Sequence, residues 1–188
     1  IVSIGSKKGS PGLKVNFLQV NGPTPKDRLV MSTSLGYFSG RDQDDNDALQ
    51  GLGDLNGGVT AKLTADYKLQ EFGVFVSATR DMSGDRKGTT VNAGLGYTFV
   101  LGSPKTQLTT GPSVTWADDS YMENVFGISA RQAASSALSY SAHRAASGIS
   151  DVGVNVSVRH FLNQRVGVMG QIVYKQLLGD AADSPIVE

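Results

Sequence analysis

One part of this 188-residue chain holds the residue types of a hydrolase triad. His143 lies close in sequence to Ser141, and Asp118 or Asp119 could supply the acid. No nucleophile-elbow motif surrounds the serine, and no fixed spacing relates it to the other residues. The chain has no cysteine, which excludes a thiolate nucleophile and a disulfide framework. We therefore expect no catalytic residues and no enzyme activity.

A second group of candidate ligands is an acidic run that comprises Asp42, Asp44, Asp45 and Asp47. Its beginning matches the first positions of a calcium-binding loop. However, Asp47 stands where such a loop needs glycine, and Gly53 stands where it needs glutamate. We interpret the run as a solvated external loop and expect no metal site and no cofactor. Weak divalent bridging to neighbouring lipopolysaccharide is an open alternative.

The elements that position these residues are strands with two different faces. From Val59 to Leu69 every odd-numbered residue is apolar and every even-numbered residue is polar, and Thr89–Leu101 closely repeats this alternation. Successive side chains on a strand point to opposite faces, so each segment has one apolar and one polar face. The pattern predicts eight strands, near Leu13–Val20, Leu29–Ser39, Val59–Leu69, Phe72–Arg80, Thr89–Leu101, Thr106–Trp116, Ser150–Phe161 and Val166–Leu177.

Long strands of this kind predict an all-β fold, an antiparallel up-and-down transmembrane β-barrel with a polar interior. Short periplasmic turns and long extracellular loops are typical of such barrels. The expected short turns are Gln70–Glu71, Gly102–Lys105 and Leu162–Arg165. The expected long loops are Gly40–Gly57, Asp81–Gly88 and Ala117–Ile149. A capping-box pattern formed by Ser129 and Gln132 predicts a short helix in the last loop.

The positions of the aromatic and charged residues also fit a transmembrane barrel with a polar interior. Aromatic rings near the short turns (Tyr67, Phe72, Tyr97, Phe99 and Phe161) and near the opposite strand ends (Tyr37, Trp116 and Tyr174) predict two bands at the membrane interfaces. The charged residues Lys62, Asp66, Lys68, Arg159 and Lys175 should face the interior, because each cation would cost roughly 2–4 kcal/mol at mid-depth in lipid. We favour a plugged, narrow lumen over an open pore.

Composition supports one domain over residues 1–188 and excludes several functions. The net charge is zero, which argues against nucleic-acid binding. No run approaches the roughly 20 apolar residues of a membrane helix. The chain begins at Ile1 and ends in a polar segment. We expect it to be a mature or partial chain, incomplete at one or both ends of the barrel.

Three segments resemble one family. They are Gly40–Asp54, Gly111–Met122 and Leu178–Val187, and together they are similar to the MipA/OmpV family of Gram-negative outer-membrane proteins. The resemblance covers about Leu29 to Glu188. Its motif positions, to which no role is assigned, are Gly111, Pro112, Trp116, Asp118, Asp119, Tyr121, Gly179, Asp180, Asp183, Ser184 and Pro185.

The resemblance implies a non-enzymatic barrel in the cell outer membrane, in contact with lipid and lipopolysaccharide. It further implies a scaffold that links a lytic murein transglycosylase to a penicillin-binding protein. A narrow channel for small solutes and a role in adhesion or osmotic response remain alternatives. We expect no nucleic-acid partner.

Overall fold

Nine strands form most of the computed structural model, which describes residues 2–7, 10–22, 24, 27–45, 47–85, 87–163 and 166–187, without the side chains of residues 2–16, 45 and 48. The strands are β1 (Val2–Lys7), β2 (Ser10–Asn21), β3 (Arg28–Arg41), β4 (Leu55–Leu69), β5 (Phe72–Asp81), β6 (Thr89–Val100), β7 (Thr106–Ala117), β8 (Gly148–Phe161) and β9 (Gly167–Leu177). The helices are α1 (Asp119–Phe126) and α2 (Ala130–Ser135), with three single 3-10 turns at Gln43–Asp45, Asp47–Leu49 and Gly179–Ala181.

The strands form one antiparallel sheet in chain order, from β1 to β9. Each strand therefore pairs with its sequence neighbours, which is the up-and-down topology predicted from the alternation. The sheet is curled, because side chains from every strand between β2 and β9 line the same cavity. Within the described residues no pairing joins β1 to β9. The predicted all-β antiparallel class is confirmed.

The eight predicted strands correspond to β2–β9, and β1 was missed. From β3 to β9 the predicted alternation of short and long connections is confirmed, although β3 and β4 extend further than expected and shorten the Gly40–Gly57 loop. The alternation does not extend to β1 and β2, which are only two residues apart at the end where the long loops lie. Two residues of the predicted Leu162–Arg165 turn lie outside the described residues. The predicted helix is α2, and both hydrogen bonds of its capping box are present. Helix α1 was not predicted.

The two faces of the sheet differ as the sequence indicates. In β8 the outward side chains are valines that are 38–46% exposed: Val152, Val154, Val156 and Val158. The pairing register places them beside Pro112 and Leu108 of β7 and beside Ile172 and Tyr174 of β9. The apolar face is thus not covered by other described parts of the chain. It is a broad apolar surface, far larger than the scattered apolar residues of an ordinary soluble surface.

A compact apolar cluster does exist, but it lies at one end of the sheet. Its members are Ala117, Met122, Ala145 and Ala181, with Tyr121, Phe126 and Leu177 packed against them. These residues come from the ends of β7 and β9, from α1 and from the segments around them. We call this region the cap. No helix in the described part of the chain is long and apolar enough to cross a membrane.

Aromatic rings form contacts near the short turns. The ring centroids of Phe72 and Tyr97 are 4.8 Å apart, and those of Tyr97 and Phe99 are 4.6 Å apart, both in edge-to-face geometry. At the other end Trp116 and Tyr174 are exposed on the outward face. Phe161 differs from the rest, because it shares the inward phase with Arg159, whose guanidinium lies 6.0 Å from its ring centroid.

The β2–β3 loop is tied to the β4–β5 turn through Asp27, a buried carboxylate. It accepts hydrogen bonds from the backbone N–H of Gln70 at 2.9 Å and of Thr24 at 3.3 Å. Gln70 has φ +54°, which is unfavourable for a residue other than glycine, so this contact helps to hold the turn. Burial acts to raise the pKa of Asp27, but the hydrogen bonds to its charged form dominate and lower the pKa below 3.8.

Asp27→Asn is expected to lower the midpoint temperature of unfolding at about pH 6 and to have less effect at about pH 3. A lowered folded-state pKa stabilises the protein above the unfolded-state pKa, near 4, and the stabilisation is lost as the pH falls through the folded-state pKa. The heat-induced gel shift of wild type and variant at both pH values measures this. An equal difference at both values would contradict the lowered pKa.

Candidate functional site: the polar inner face and the cap

Eight strands converge on one cavity of about 620 Å³ on the inner face of the sheet. The alternation of each strand explains this, because most of the residues that line it, including all its charged and amide side chains, have the opposite phase to the outward valines and leucines. The lining includes three cations (Arg28, Lys68 and Arg159), one acid (Asp66), and the amide and hydroxyl side chains of Gln19, Thr98, Gln107, Thr109, Asn155, Ser157 and Gln171.

The inward phase predicted for the charged residues is confirmed. Asp66, Lys68 and Arg159 line the cavity, and Lys175 forms an ion pair on the same face. Lys62 has the phase of Asp66 in β4 and pairs with Ser34 and Thr79, which also face inward. Arg80, which pairs with Ala61, lies on the outward face and donates to the hydroxyl of Thr89 at 3.0 Å.

Hydrogen bonds between neighbouring strands fix several cavity side chains. The Asn155 amide donates to Ser113 Oγ at 3.3 Å and accepts from the Gln171 amide at 3.3 Å. The hydroxyls of Thr98 and Thr109 are 3.0 Å apart. These bonds run across the strands, so the polar lining is organised by the sheet register.

The ring of Phe75 lies against Gly94 on the inner face. A Cβ atom at Gly94 would lie 2.5 Å from Phe75 Cε1 and 2.8 Å from the carbonyl oxygen of Pro112, so only glycine fits. Gly94 therefore permits close packing on the inner face of the sheet. The ring thereby contributes to the apolar part of a cavity wall that polar and apolar residues share.

Further along the inner face a buried carboxylate organises a second polar group. Asp151 is 6% exposed, and its Oδ1 lies 2.8 Å from the ammonium of Lys175. It also accepts from the hydroxyl of Thr115 at 2.9 Å and from that of Ser150 at 3.0 Å. The Asn92 amide in turn donates to the Thr115 hydroxyl at 2.9 Å. Strands β6, β7, β8 and β9 are therefore linked through one network.

A β-bulge adds Ser150 to this network. Thr115 pairs with Asp151 whereas Trp116 pairs with Ile149, so Ser150 is an extra residue in β8. By simple alternation Ser150 would lie on the apolar outward face. Instead it is 2% exposed and hydrogen-bonded to Asp151. Sequence reasoning missed this group, because a bulge changes the phase of a strand without a strong local signal.

Several family-motif residues meet in the cap, where Asp118 joins a helix to the sheet. One of its carboxylate oxygens accepts from Tyr121 N–H at 2.8 Å, which caps α1, and the other accepts from Thr89 N–H at 2.9 Å. Tyr121 lies against Gly88, where a Cβ atom would come within 2.3 Å of the tyrosine Cβ. The motif therefore fixes α1 against the β5–β6 loop.

The other acidic motif residues hold the loop that follows α2. Asp119 accepts from Ser147 N–H at 2.7 Å, and Asp180 accepts from Ala146 N–H at 2.8 Å. The fully buried Ser184 donates to the carbonyl of Phe126 at 2.6 Å. The segment after β9 is thus fastened to α1 and to the loop before β8. The two motifs, about 60 residues apart in sequence, form one structural unit.

The remaining motif residues lie in different parts of the structure. Gly179 adopts φ +53° and accepts hydrogen bonds from Ala182 and Asp183 in the turn that leads to Pro185. Trp116 is 40% exposed beside the bulge. Gly111 and Pro112 lie in mid-strand, away from the cap. At Gly111 a Cβ atom would lie 2.1 Å from the carbonyl oxygen of Leu95, so β6 and β7 approach closely there.

The contacts of the candidate triad residues do not assemble a triad in the described structure. His143 Nε2 lies 2.8 Å from the backbone carbonyl of Asp180, while Asp118 and Asp119 accept from backbone N–H groups. The acidic run also has local contacts, since Asp42 accepts from Asp44 N–H at 2.9 Å. Among the described residues no group of three or more acidic or histidine side chains could hold a metal ion.

Asp118→Ala is expected to lower the free energy of unfolding by about 1 kcal/mol, because it removes a helix cap and a link to β6. Trp116, the only tryptophan, lies two residues away and reports on unfolding by its fluorescence in a urea titration. Asp183→Ala is the matched control, since Asp183 is an exposed aspartate of the same region. A loss as large in the control as in Asp118→Ala would contradict the capping role.

A curled antiparallel meander with an apolar outward face and a polar inner cavity is the architecture of β-barrel membrane proteins. The family model described as MltA-interacting protein MipA matches residues 9–188 of this chain. The chain belongs to the MipA family, and this membership points to an outer-membrane protein. The resemblance therefore starts earlier than the expected Leu29. No match was found among curated proteins or among solved structures.

Proposed function

We propose that this protein is a non-enzymatic outer-membrane β-barrel that serves as a scaffold for murein-remodelling enzymes. The observation that carries the membrane part is the outward face of β8, where four valines in alternate positions are 38–46% exposed. Transfer of apolar surface from water into hydrocarbon is favourable, by roughly 25 cal/mol per Å². A face of this kind is stable in lipid and would aggregate in water.

The proposed scaffold role is supported by membership of the MipA family. Its description, MltA-interacting protein, supports a lytic murein transglycosylase as the first partner. A penicillin-binding protein is the second proposed partner. In a barrel of this orientation the short turns, such as residues 70–71 and 101–105, face the periplasm, where murein enzymes work. We place the docking surface on these turns.

Affinity capture from outer-membrane extracts tests the scaffold. The full-length protein should retain a murein transglycosylase, identified by mass spectrometry. Substitutions in the short turn, such as Lys105→Glu, should weaken this retention. A change in an opposite loop, such as Asp44→Lys, is the matched control and should leave it unchanged. Absence of any murein enzyme from the captured material would refute the scaffold.

A narrow channel is the second candidate, and the polar cavity of about 620 Å³ favours it. Planar bilayers distinguish the two functions. A scaffold whose lumen is closed gives no stable conductance, because no continuous water-filled path crosses the membrane. Steady single-channel steps from purified full-length protein would favour the channel.

A further inference from the structure

Among the residues whose side chains are described, those that line the inner cavity carry a net positive charge, although the chain as a whole has none. In this described lining the cations are Arg28, Lys68 and Arg159, and the carboxylate is that of Asp66. These four residues come from β3, β4 and β8, so the sheet register, and not one local cluster, brings them to the same cavity. A cavity wall with excess positive charge attracts small anions.

The remaining lining narrows the class of anion. Amides such as Gln107 and Gln171 can both donate and accept hydrogen bonds, and the hydroxyl of Ser157 can do the same. Such groups match the hydroxyls of a sugar. The guanidinium of an arginine matches the geometry of a carboxylate, to which it can donate two parallel hydrogen bonds.

The size of the cavity limits the ligand to a small molecule. A volume of about 620 Å³ lies within the roughly 300–1,000 Å³ of ordinary small-ligand sites. We propose that this inner cavity binds hydroxylated carboxylates of the sugar-acid class. The carboxylate lies among the cations, and the hydroxyls bond to the amide and hydroxyl side chains. This binding goes beyond the scaffold and does not depend on any protein partner.

Titration calorimetry with the full-length protein in detergent tests the proposal, with D-glucuronate as the probe. D-Glucose has the same ring without the carboxylate and serves as the control ligand. We expect glucuronate to bind at least about tenfold more tightly than glucose, since a hydrogen bond to a charged group contributes roughly 1.5–3 kcal/mol. Added salt should weaken glucuronate binding. Equal affinity for the two sugars, or no binding of glucuronate, would overturn the proposal.

Arg159→Gln should weaken glucuronate binding about tenfold. Arg159→Lys keeps the positive charge and should weaken the binding less. Arg80→Gln is the matched control because Arg80 is an arginine on the outward face. The heat-induced gel shift of each variant verifies that it is folded before titration. An equal effect of Arg159→Gln and Arg80→Gln on the affinity would also overturn the proposal. Failure to capture a murein enzyme would leave this result unaffected, so the two proposals fail separately.

Discussion

Val156→Arg is expected to prevent most of the protein from assembling in the outer membrane. Val156 lies on the outward face near the middle of β8, between Thr110 of β7 and Ile172 of β9. An arginine at this depth in lipid costs roughly 2–4 kcal/mol. That is a large part of the stability of a typical domain. The measurement is the amount of heat-modifiable protein in outer-membrane fractions.

Ser157→Arg is the matched control, one residue further along the same strand. Ser157 faces the polar cavity, where another long polar side chain can reach water and the neighbouring amides. We expect this variant to assemble at nearly the wild-type level. If both variants assembled equally well, the outward valines would not face lipid, and the membrane assignment would fall.

Lys175→Met is expected to lower the free energy of unfolding by about 2 kcal/mol, because it leaves the Asp151 carboxylate buried without its cation. The loss should fall below the roughly 3–5 kcal/mol of a fully buried pair, because the Lys175 side chain is 49% exposed. The hydroxyls of Thr115 and Ser150 also continue to stabilise the carboxylate. Urea unfolding monitored by the fluorescence of Trp116 measures this change.

A double-mutant cycle separates the ion pair from the loss of side-chain packing. Once Asp151→Asn has removed the negative charge, Lys175→Met should lower the free energy of unfolding clearly less than it does in the wild-type protein. Asn at position 151 keeps an oxygen that can accept from Thr115, so the network remains partly formed. Equal costs of Lys175→Met in both backgrounds would show that the pair contributes nothing beyond packing.

The sequence determined the strand pattern and the assignment of its faces. A strand places alternate residues on opposite faces. In a strictly alternating segment such as Val59–Leu69, the residue order alone therefore shows which side chains share the apolar face. All eight predicted strands exist, and inward charged residues such as Asp66 and Arg159 line the cavity. The capping box that begins at Ser129 predicted α2 correctly because it too is a local pattern, formed by residues within a stretch of four.

Strand β1 and helix α1 were missed because their local signals are weak. β1 has six residues, including a glycine and two serines, and α1 has eight, with its cap hidden in an acidic motif. Asp118 was considered as a catalytic acid, whereas its position makes it a helix cap. One carboxylate can serve either purpose, and only its neighbours in space distinguish them.

The sequence by itself determined which side chains face outward, because strand alternation is a local property of consecutive residues. Only the tertiary structure decided which distant residues meet. The register between β8 and β9 brings Asp151 to Lys175, the bulge adds the Ser150 hydroxyl to the carboxylate, and the cap joins Asp119 and Asp180 to the same loop. These contacts depend on the register between strands and on the path of the chain after β9. No short stretch of sequence contains that information.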